Sequence, residues 1–180
     1  MVEKNYPSDP CQVTLEPGAA QAIKKMNQAG YKVIIISNQS GVARGYFSET
    51  QVNRINHRLK AILAHQGAHL DAIFYCPHHP QGTVAKYAHH CPCRKPQPGL
   101  LLTAAQQLSV DLAHSFMAGD RHSDLQAALN SGCRPILVRT GYGKDTEEKL
   151  KAGGLVIPGL LVFDNLSALV DGLIGQGELG

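Results

Sequence analysis

Short β-branched runs and longer mixed stretches take turns along the chain, and that rhythm predicts strands and helices in succession. Glu16 to Ala29 predicts a helix, with Pro17 in its first turn and Gly30 as its stop. Lys32-Val33-Ile34-Ile35-Ile36 is too short for a buried helix and predicts a buried strand. It runs out into the polar loop Ser37-Asn38-Gln39-Ser40-Gly41. Ser48 and Gln51 form a capping-box pattern that opens a helix to about Gln66, closed by Gly67. Asp71 to Cys76 predicts a second strand, and residues 77–97 a long polar loop rich in His, Pro and Cys. Pro98 to Leu108 predicts a third helix and Ser115 to Ala118 a strand leading into Gly119-Asp120. Ser123 to Asn130 predicts a helix closed by Gly132, and Pro135 to Val138 a strand ending at Arg139-Thr140-Gly141. A last short strand, Leu160 to Phe163, precedes a helix from about Asn165, and the Gly-rich tail from about Gly175 is expected to fray.

Strands alternating with helices imply an α/β fold, with a mainly parallel sheet and helices on both faces. No internal repeat interrupts the pattern, and a single domain over residues 1–180 is expected. Ligands of such folds bind at the carboxyl ends of the strands. Ser37, Asp120 and Arg139 fall at those ends.

Composition narrows the partners. The 180 residues allow one sizeable core, and 43% hydrophobic residues is an ordinary globular share. A formal charge of +3, with nine neutral histidines, is too weak and scattered for a nucleic-acid partner. The 77–97 loop offers no helix for a groove and no aromatic platform beyond Tyr75 and Tyr87. No apolar run reaches membrane-span length, and the first thirty residues lack a signal-peptide core. A cytoplasmic location without a membrane partner follows as the expectation. The five cysteines are an odd number, and close cysteines in a reducing compartment point to a metal before a disulfide.

That metal is expected in the loop. Cys76-x-His78 and Cys91-x-Cys93 supply three thiolates and one imidazole, a donor set that suits a tetrahedral structural Zn2+. Two short ligand pairs can wrap one ion with little core beneath them, which explains a loop otherwise too long to be structureless. Four protein ligands leave no open position for catalytic water. His79, His89 and His90 lie nearby, but His78 fits the paired spacing best. The plain alternative is free cysteines beside a surface histidine cluster.

Other residues suit phosphate. Ser37 to Gly41 can aim hydroxyls and backbone N–H groups at one anion, although most such turns are only turns. Arg94-Lys95-Pro96 follows the last zinc ligand and offers a guanidinium fork plus a point charge, or simply a solvated basic pair. Asp120 follows a strand, where a carboxylate suits Mg2+ or caps the next helix. Asp124 is placed to orient Lys95 through an ion pair.

The segments Ser37-Asn38-Gln39-Ser40-Gly41-Val42-Ala43-Arg44-Gly45, Tyr75-Cys76-Pro77-His78-His79-Pro80, Cys91-Pro92-Cys93-Arg94-Lys95-Pro96 and Gly119-Asp120-Arg121 together resemble the haloacid-dehalogenase-type phosphatases. The likeness runs from about Val2 to Gly141. It implies a Rossmann-like fold with a zinc-loop insertion and a phosphorylated sugar as substrate, acted on by a monomer. The length of the loop favours the branch acting on heptose bisphosphates over histidinol-phosphate hydrolysis. By resemblance, Ser37 and Lys95 stabilise the transferring phosphoryl group and Asp120 is a Mg2+ ligand. Asn38, Gln39, Ser40, Arg94 and Arg121 contact substrate, and Glu3 to Tyr6 falls at a further contacting loop.

The family's reaction starts with a strand ending in Asp-x-Asp, whose first Asp attacks phosphorus and whose second is general acid and base. The 180 residues contain no such motif. Glu3 and Asp9 are the early carboxylates, and neither follows an apolar strand. The chain as written is therefore expected to be inactive, with a weakened Mg2+ site and its first central strand missing. A start assigned too late, a catalytically dead relative, or a non-catalytic zinc-containing phosphosugar-binding protein would each fit.

Overall fold

The computed structural model describes residues 9–175. The Glu3 to Tyr6 loop and the tail beyond Gly175 lie outside them. The helices are α1 Ala19–Gln28, α2 Glu49–His65, α3 Gly99–Leu108, α4 His122–Ser131, α5 Gly143–Ala152 and α6 Leu166–Gly175. The strands are β1 Ile34–Asn38, β2 Ala72–Cys76, β3 Phe116–Gly119, β4 Arg134–Val138 and β5 Leu161–Phe163. Contacts divide the chain into two compact units, Met1–Arg94 and Lys95–Gly180.

In the first unit, α1 begins later than the pattern predicts. Gly18 takes a left-handed φ of 75°, so the Pro17-Gly18 turn cannot be helical and the helix starts after it. The capping box at α2 is present in full: Gln51 N–H donates to Ser48 Oγ at 3.3 Å, and Ser48 N–H to Gln51 Oε1 at 2.8 Å. Val52, Ile55, Leu59 and Leu63 make one buried stripe at helical spacing. Each such burial stabilises by roughly 1.5–3 kcal/mol. β1 and β2 pair in parallel from Ile34 opposite Ala72 to Asn38 opposite Cys76. Asp71 starts the register, taking Val33 N–H on its carboxylate at 2.7 Å and donating its own N–H to Val33 O at 2.9 Å.

Two expectations about β1 change. It runs two residues further than the apolar stretch, so Ser37 and Asn38 are strand residues and the turn starts at Gln39. It is also half-buried at every position rather than buried. Its ladder partner among the described residues is β2, in a two-stranded sheet.

The second unit has a three-stranded parallel sheet in the order β3-β4-β5. Leu125, Leu137, Leu150 and Ile157 form its core, with Leu129, Leu160 and Val162 against them. Every strand pair is parallel, as the α/β reading requires. Helix α5 is an addition. Its sequence GKDTEEKLKA is polar around most of its circumference and buries only Gly143, Thr146 and Leu150.

Candidate functional site

The loop after β2 gathers the four expected ligands. Cys76 is the last residue of β2 and fully buried, so the sheet fixes its thiol. The ligand atoms of Cys76, His78, Cys91 and Cys93 all lie within 4.8 Å of one another. His78 Nδ1 is 3.6 Å from Cys76 Sγ and 3.7 Å from Cys93 Sγ, and Cys91 and Cys93 Sγ are 2.8 Å apart. A tetrahedron with about 2.3 Å Zn–S and about 2.0 Å Zn–N bonds has edges of roughly 3.5–3.8 Å, close to the two histidine contacts. All five cysteines are free thiols. Burial pushes the Cys76 and Cys93 thiols up and His78 down, so a cation is what would draw thiolates into this pocket. The donor set fits a closed zinc site, and the 2.8 Å between Cys91 and Cys93 Sγ would have to open by about 1 Å to become a tetrahedral edge.

The neighbouring histidines are engaged differently. His79 faces Arg44 Nη2 at 3.3 Å and takes Gln81 N–H on Nδ1 at 3.1 Å. The His89 ring lies tilted against the His78 ring, with centroids 4.3 Å apart. His90 is exposed.

The loop is tied to the turn after β1. Thr83 and Val84 N–H both donate to the carbonyl of Ala43, at 2.8 and 2.9 Å. A Cβ on Gly82 would meet Ala43 O at 2.7 Å, so glycine permits that approach. Glu49, at the start of α2, takes the hydroxyl protons of Tyr87 and Tyr75. The Tyr87 bond is the main reason its carboxyl falls below the ordinary range despite burial. Tyr75, buried beside that carboxylate, is pushed up to about 12.

The residues of this unit expected to meet phosphate make the following bonds. Ser37 Oγ accepts from Gln39 Nε2 at 3.1 Å, and Gln39 N–H donates to Cys76 O at 2.8 Å. The turn that starts at Gln39 is thus bonded to the strand end that carries an expected metal ligand. Ser40 O accepts Arg44 N–H at 3.0 Å, Asn38 pairs opposite Cys76, and Arg94 Nη1 donates to His78 O at 3.2 Å. Asp9, an early carboxylate, accepts Cys11 N–H at 2.8 Å as the cap of a short 3-10 turn over Pro10–Gln12. It is a structural cap.

In the second unit Lys95 Nζ and Asp124 Oδ1 are 2.7 Å apart and nearly sealed from solvent, the pairing expected for Lys95. Asp124 Oδ2 also takes Arg121 N–H at 3.0 Å. A Cβ on Gly119 would overlap the Asp124 side chain, so the glycine at the β3 end lets the carboxylate sit there. Asp120 does not cap α4. Its Oδ2 takes Tyr142 N–H at 2.9 Å and its carbonyl takes the Thr146 hydroxyl at 2.7 Å, which binds the β3 end to α5. The Arg121 guanidinium lies 3.7 Å over the Tyr142 ring.

Two readings need adjustment. Arg139, at a strand end, is held bidentately by Glu147 at 2.7 and 3.0 Å and by Asp164 at 2.8 Å, so it is part of a structural ion network. Asp120 belongs to no larger cluster of metal-ligating side chains among the described residues. Among the described residues, the only group of three or more metal-ligating side chains is the Cys/His cluster. One strand-end carboxylate fits a share of a Mg2+ site and does not complete one.

Comparison with known proteins defines the class first. The family model described as HAD-hydrolase-like matches residues 92–169. The fold matches a solved heptose 1,7-bisphosphate phosphatase from B. bronchiseptica, complexed with magnesium and phosphate, at a TM-score of 0.82 and 38% identity. That match covers 94% of this chain and 88% of the other. D-glycero-beta-D-manno-heptose-1,7-bisphosphate 7-phosphatase of Pseudomonas putida is 39% identical over 175 residues, 94% of this chain and 93% of that protein. The Photorhabdus laumondii protein of the same name is 44% identical over 144 residues, 79% of this chain and 76% of that one. Several curated relatives are spanned over only about two thirds of their length. The chain belongs to the D-glycero-beta-D-manno-heptose-1,7-bisphosphate 7-phosphatase family, phosphoric monoester hydrolases within the HAD-like class.

Proposed function

We propose that this chain is the zinc-loop and phosphate-holding part of a cytoplasmic, monomeric phosphatase. It releases the 7-phosphate of D-glycero-D-manno-heptose 1,7-bisphosphate when an Asp-x-Asp pair is supplied to it. The observation that carries the reading is the joint presence of Ser37-Asn38-Gln39-Ser40, the Cys76/His78/Cys91/Cys93 cluster and Arg94-Lys95 in a chain 38% identical to a heptose-bisphosphate phosphatase complexed with magnesium and phosphate.

In this reading Ser37 Oγ and Lys95 Nζ hold phosphoryl oxygens, and the buried Lys95–Asp124 pair fixes the position of the ammonium. Arg94, Asn38, Gln39, Ser40 and Arg121 position the sugar phosphate. Asp120 shares in a Mg2+ site, and a bound Mg2+ supplies positive charge to neutralise phosphate oxygens. Zn2+ on the four loop ligands is structural and holds Arg94 in place. Attack on phosphorus and proton transfer require the two carboxylates that the 180 residues lack, so the chain alone is expected to show no turnover.

The test is phosphate release from heptose 1,7-bisphosphate and from histidinol phosphate. It compares the 180-residue chain with a form extended at its N-terminus by an Asp-x-Asp strand. Turnover by the extended form on the heptose substrate, lost in Asp120→Ala, is expected. Turnover by the 180-residue chain, or preference for histidinol phosphate, would refute the reading.

A further inference from the structure

Two arginines of the second unit, Arg121 and Arg139, each stand just past a strand, and they are held in opposite ways. Arg139 gives its N–H edge to Glu147, at 2.7 and 3.0 Å, and to Asp164 at 2.8 Å. Carboxylates thus use its donors and offset its charge. Arg121 instead has its guanidinium carbon 3.7 Å from the centre of the Tyr142 ring, in van der Waals contact with the π face. Contact through the face restrains a guanidinium without drawing on its N–H edge and without cancelling its charge.

The loop between β4 and α5 fixes where that ring stands. Tyr142 N–H donates to Asp120 Oδ2 at 2.9 Å, and Tyr142 O accepts Thr146 N–H at 2.9 Å. The next residue, Gly143, is buried, and a Cβ on it would overlap the Val138 carbonyl oxygen, so the backbone lies flush against the end of β4. With both its backbone groups bonded and its neighbour pressed on a strand, residue 142 is held in place. It serves two consecutive residues at once: its N–H holds the Asp120 carboxylate, and its ring holds the Arg121 guanidinium. Arg121 is exposed, and an exposed arginine without such a contact spreads over many rotamers, whose entropy is lost at each binding event.

We propose that Tyr142 is a positioning residue for phosphate recognition, its ring holding Arg121 by the face so that the N–H edge meets a sugar phosphate already oriented. That Arg121 meets a phosphosugar rests on the reading above. That Tyr142 sets its placement rests on the ring contact and on the bonds that fix the loop. The ring carries this role and the hydroxyl does not, so phenylalanine serves equally well at position 142.

The test is a calorimetric double-mutant cycle on the 180-residue chain, supplied with zinc and Mg2+. Heptose 1,7-bisphosphate is one titrant and inorganic phosphate the other. The variants are Tyr142→Leu, Tyr142→Phe, Arg121→Gln and the Tyr142→Leu/Arg121→Gln double. All of them keep the N–H of residue 142, so the bond to Asp120 stays. Tyr142→Leu is expected to weaken binding by about two- to fivefold, the worth of an exposed cation–π contact. Tyr142→Phe restores the affinity, and in the Arg121→Gln background Tyr142→Leu costs nothing further. Melts by circular dichroism check the fold, and Tyr142→Met repeats the cycle if the leucine variant melts early. Equal weakening by Tyr142→Leu in both backgrounds makes the ring merely structural and overturns the proposal. So does Tyr142→Leu without effect, or Arg121→Gln without effect on either titrant. Binding of inorganic phosphate alone refutes the heptose reading, and the cycle on phosphate still decides Tyr142. Binding of neither titrant overturns both.

Discussion

Replacing Asp124 by alanine is the sharpest test of how Lys95 is held. Lys95 and Asp124 side chains are 11% and 6% exposed, and the pair spans 2.7 Å. The substitution leaves an ammonium in a site that water barely reaches. It also removes the acceptor of Arg121 N–H in the first turn of α4. Removing one partner of such a buried pair costs about 3–5 kcal/mol, which for a chain of this size lowers the melting temperature by roughly 6–20 °C. Lys95→Met with Asp124→Leu removes both charges and keeps apolar volume, so most of that loss returns. Thermal melts by circular dichroism, with the singles and the double compared as a cycle, give the coupling. Phosphate affinity is measured on the same samples. The double variant is expected to melt near the unchanged protein while losing the Lys95 contribution to phosphate binding. A drop of less than about 2 °C for Asp124→Ala, or a double variant no more stable than either single, would refute the buried-pair argument.

The remaining predictions concern the loop and the ion network. Chain purified without chelator is expected to hold about one zinc per molecule by elemental analysis, and chelation should speed amide exchange over residues 77–94 while leaving the β3-β4-β5 sheet unchanged. Glu147, in bonds with Arg139 and Lys151, has its carboxyl drawn down to about 2. Its folded value is below its unfolded one, so its contribution is present above about pH 4.5 and lost as pH falls towards 2. Glu147→Gln should flatten the acid limb of stability against pH in that window, and urea titrations from pH 5 to 2 would show it.

Much of the first unit was legible because its signals are local. Ser48 and Gln51 are three residues apart, so the capping box could be read directly and is formed as read. The expected zinc ligands come as two short pairs, and close spacing in sequence guarantees closeness in space within each pair. What brings the pairs together is less local: the end of β2 and the Ala43 bonds. The Lys95–Asp124 pairing was readable from the order of motifs, but the dependence on Gly119 was not, because it is a steric fact about a strand end. Helix α5 was missed since tertiary contact at Gly143, Thr146 and Leu150 selects it over a polar loop. Its signal was present in Asp145 near the start and Lys149 and Lys151 near the end, where they suit the helix dipole. Arg139 was over-read, because a strand-end cation looks alike whether it meets substrate or two carboxylates from residues 147 and 164.

The two N–H groups that share the Ala43 carbonyl also change the polymer problem of bringing Cys91 back to Cys76. Without them the chain must close one loop from residue 76 to residue 91. With Val84 anchored, what remains to be closed is about half as long, which lowers the closure cost by about 0.6 kcal/mol. That is roughly a threefold gain in affinity for whatever ion joins the ligands, obtained by residues that never touch it. Gly82, Thr83 and Val84 thus act as a mid-loop rivet. The loop's tolerance to insertion should be low at the rivet.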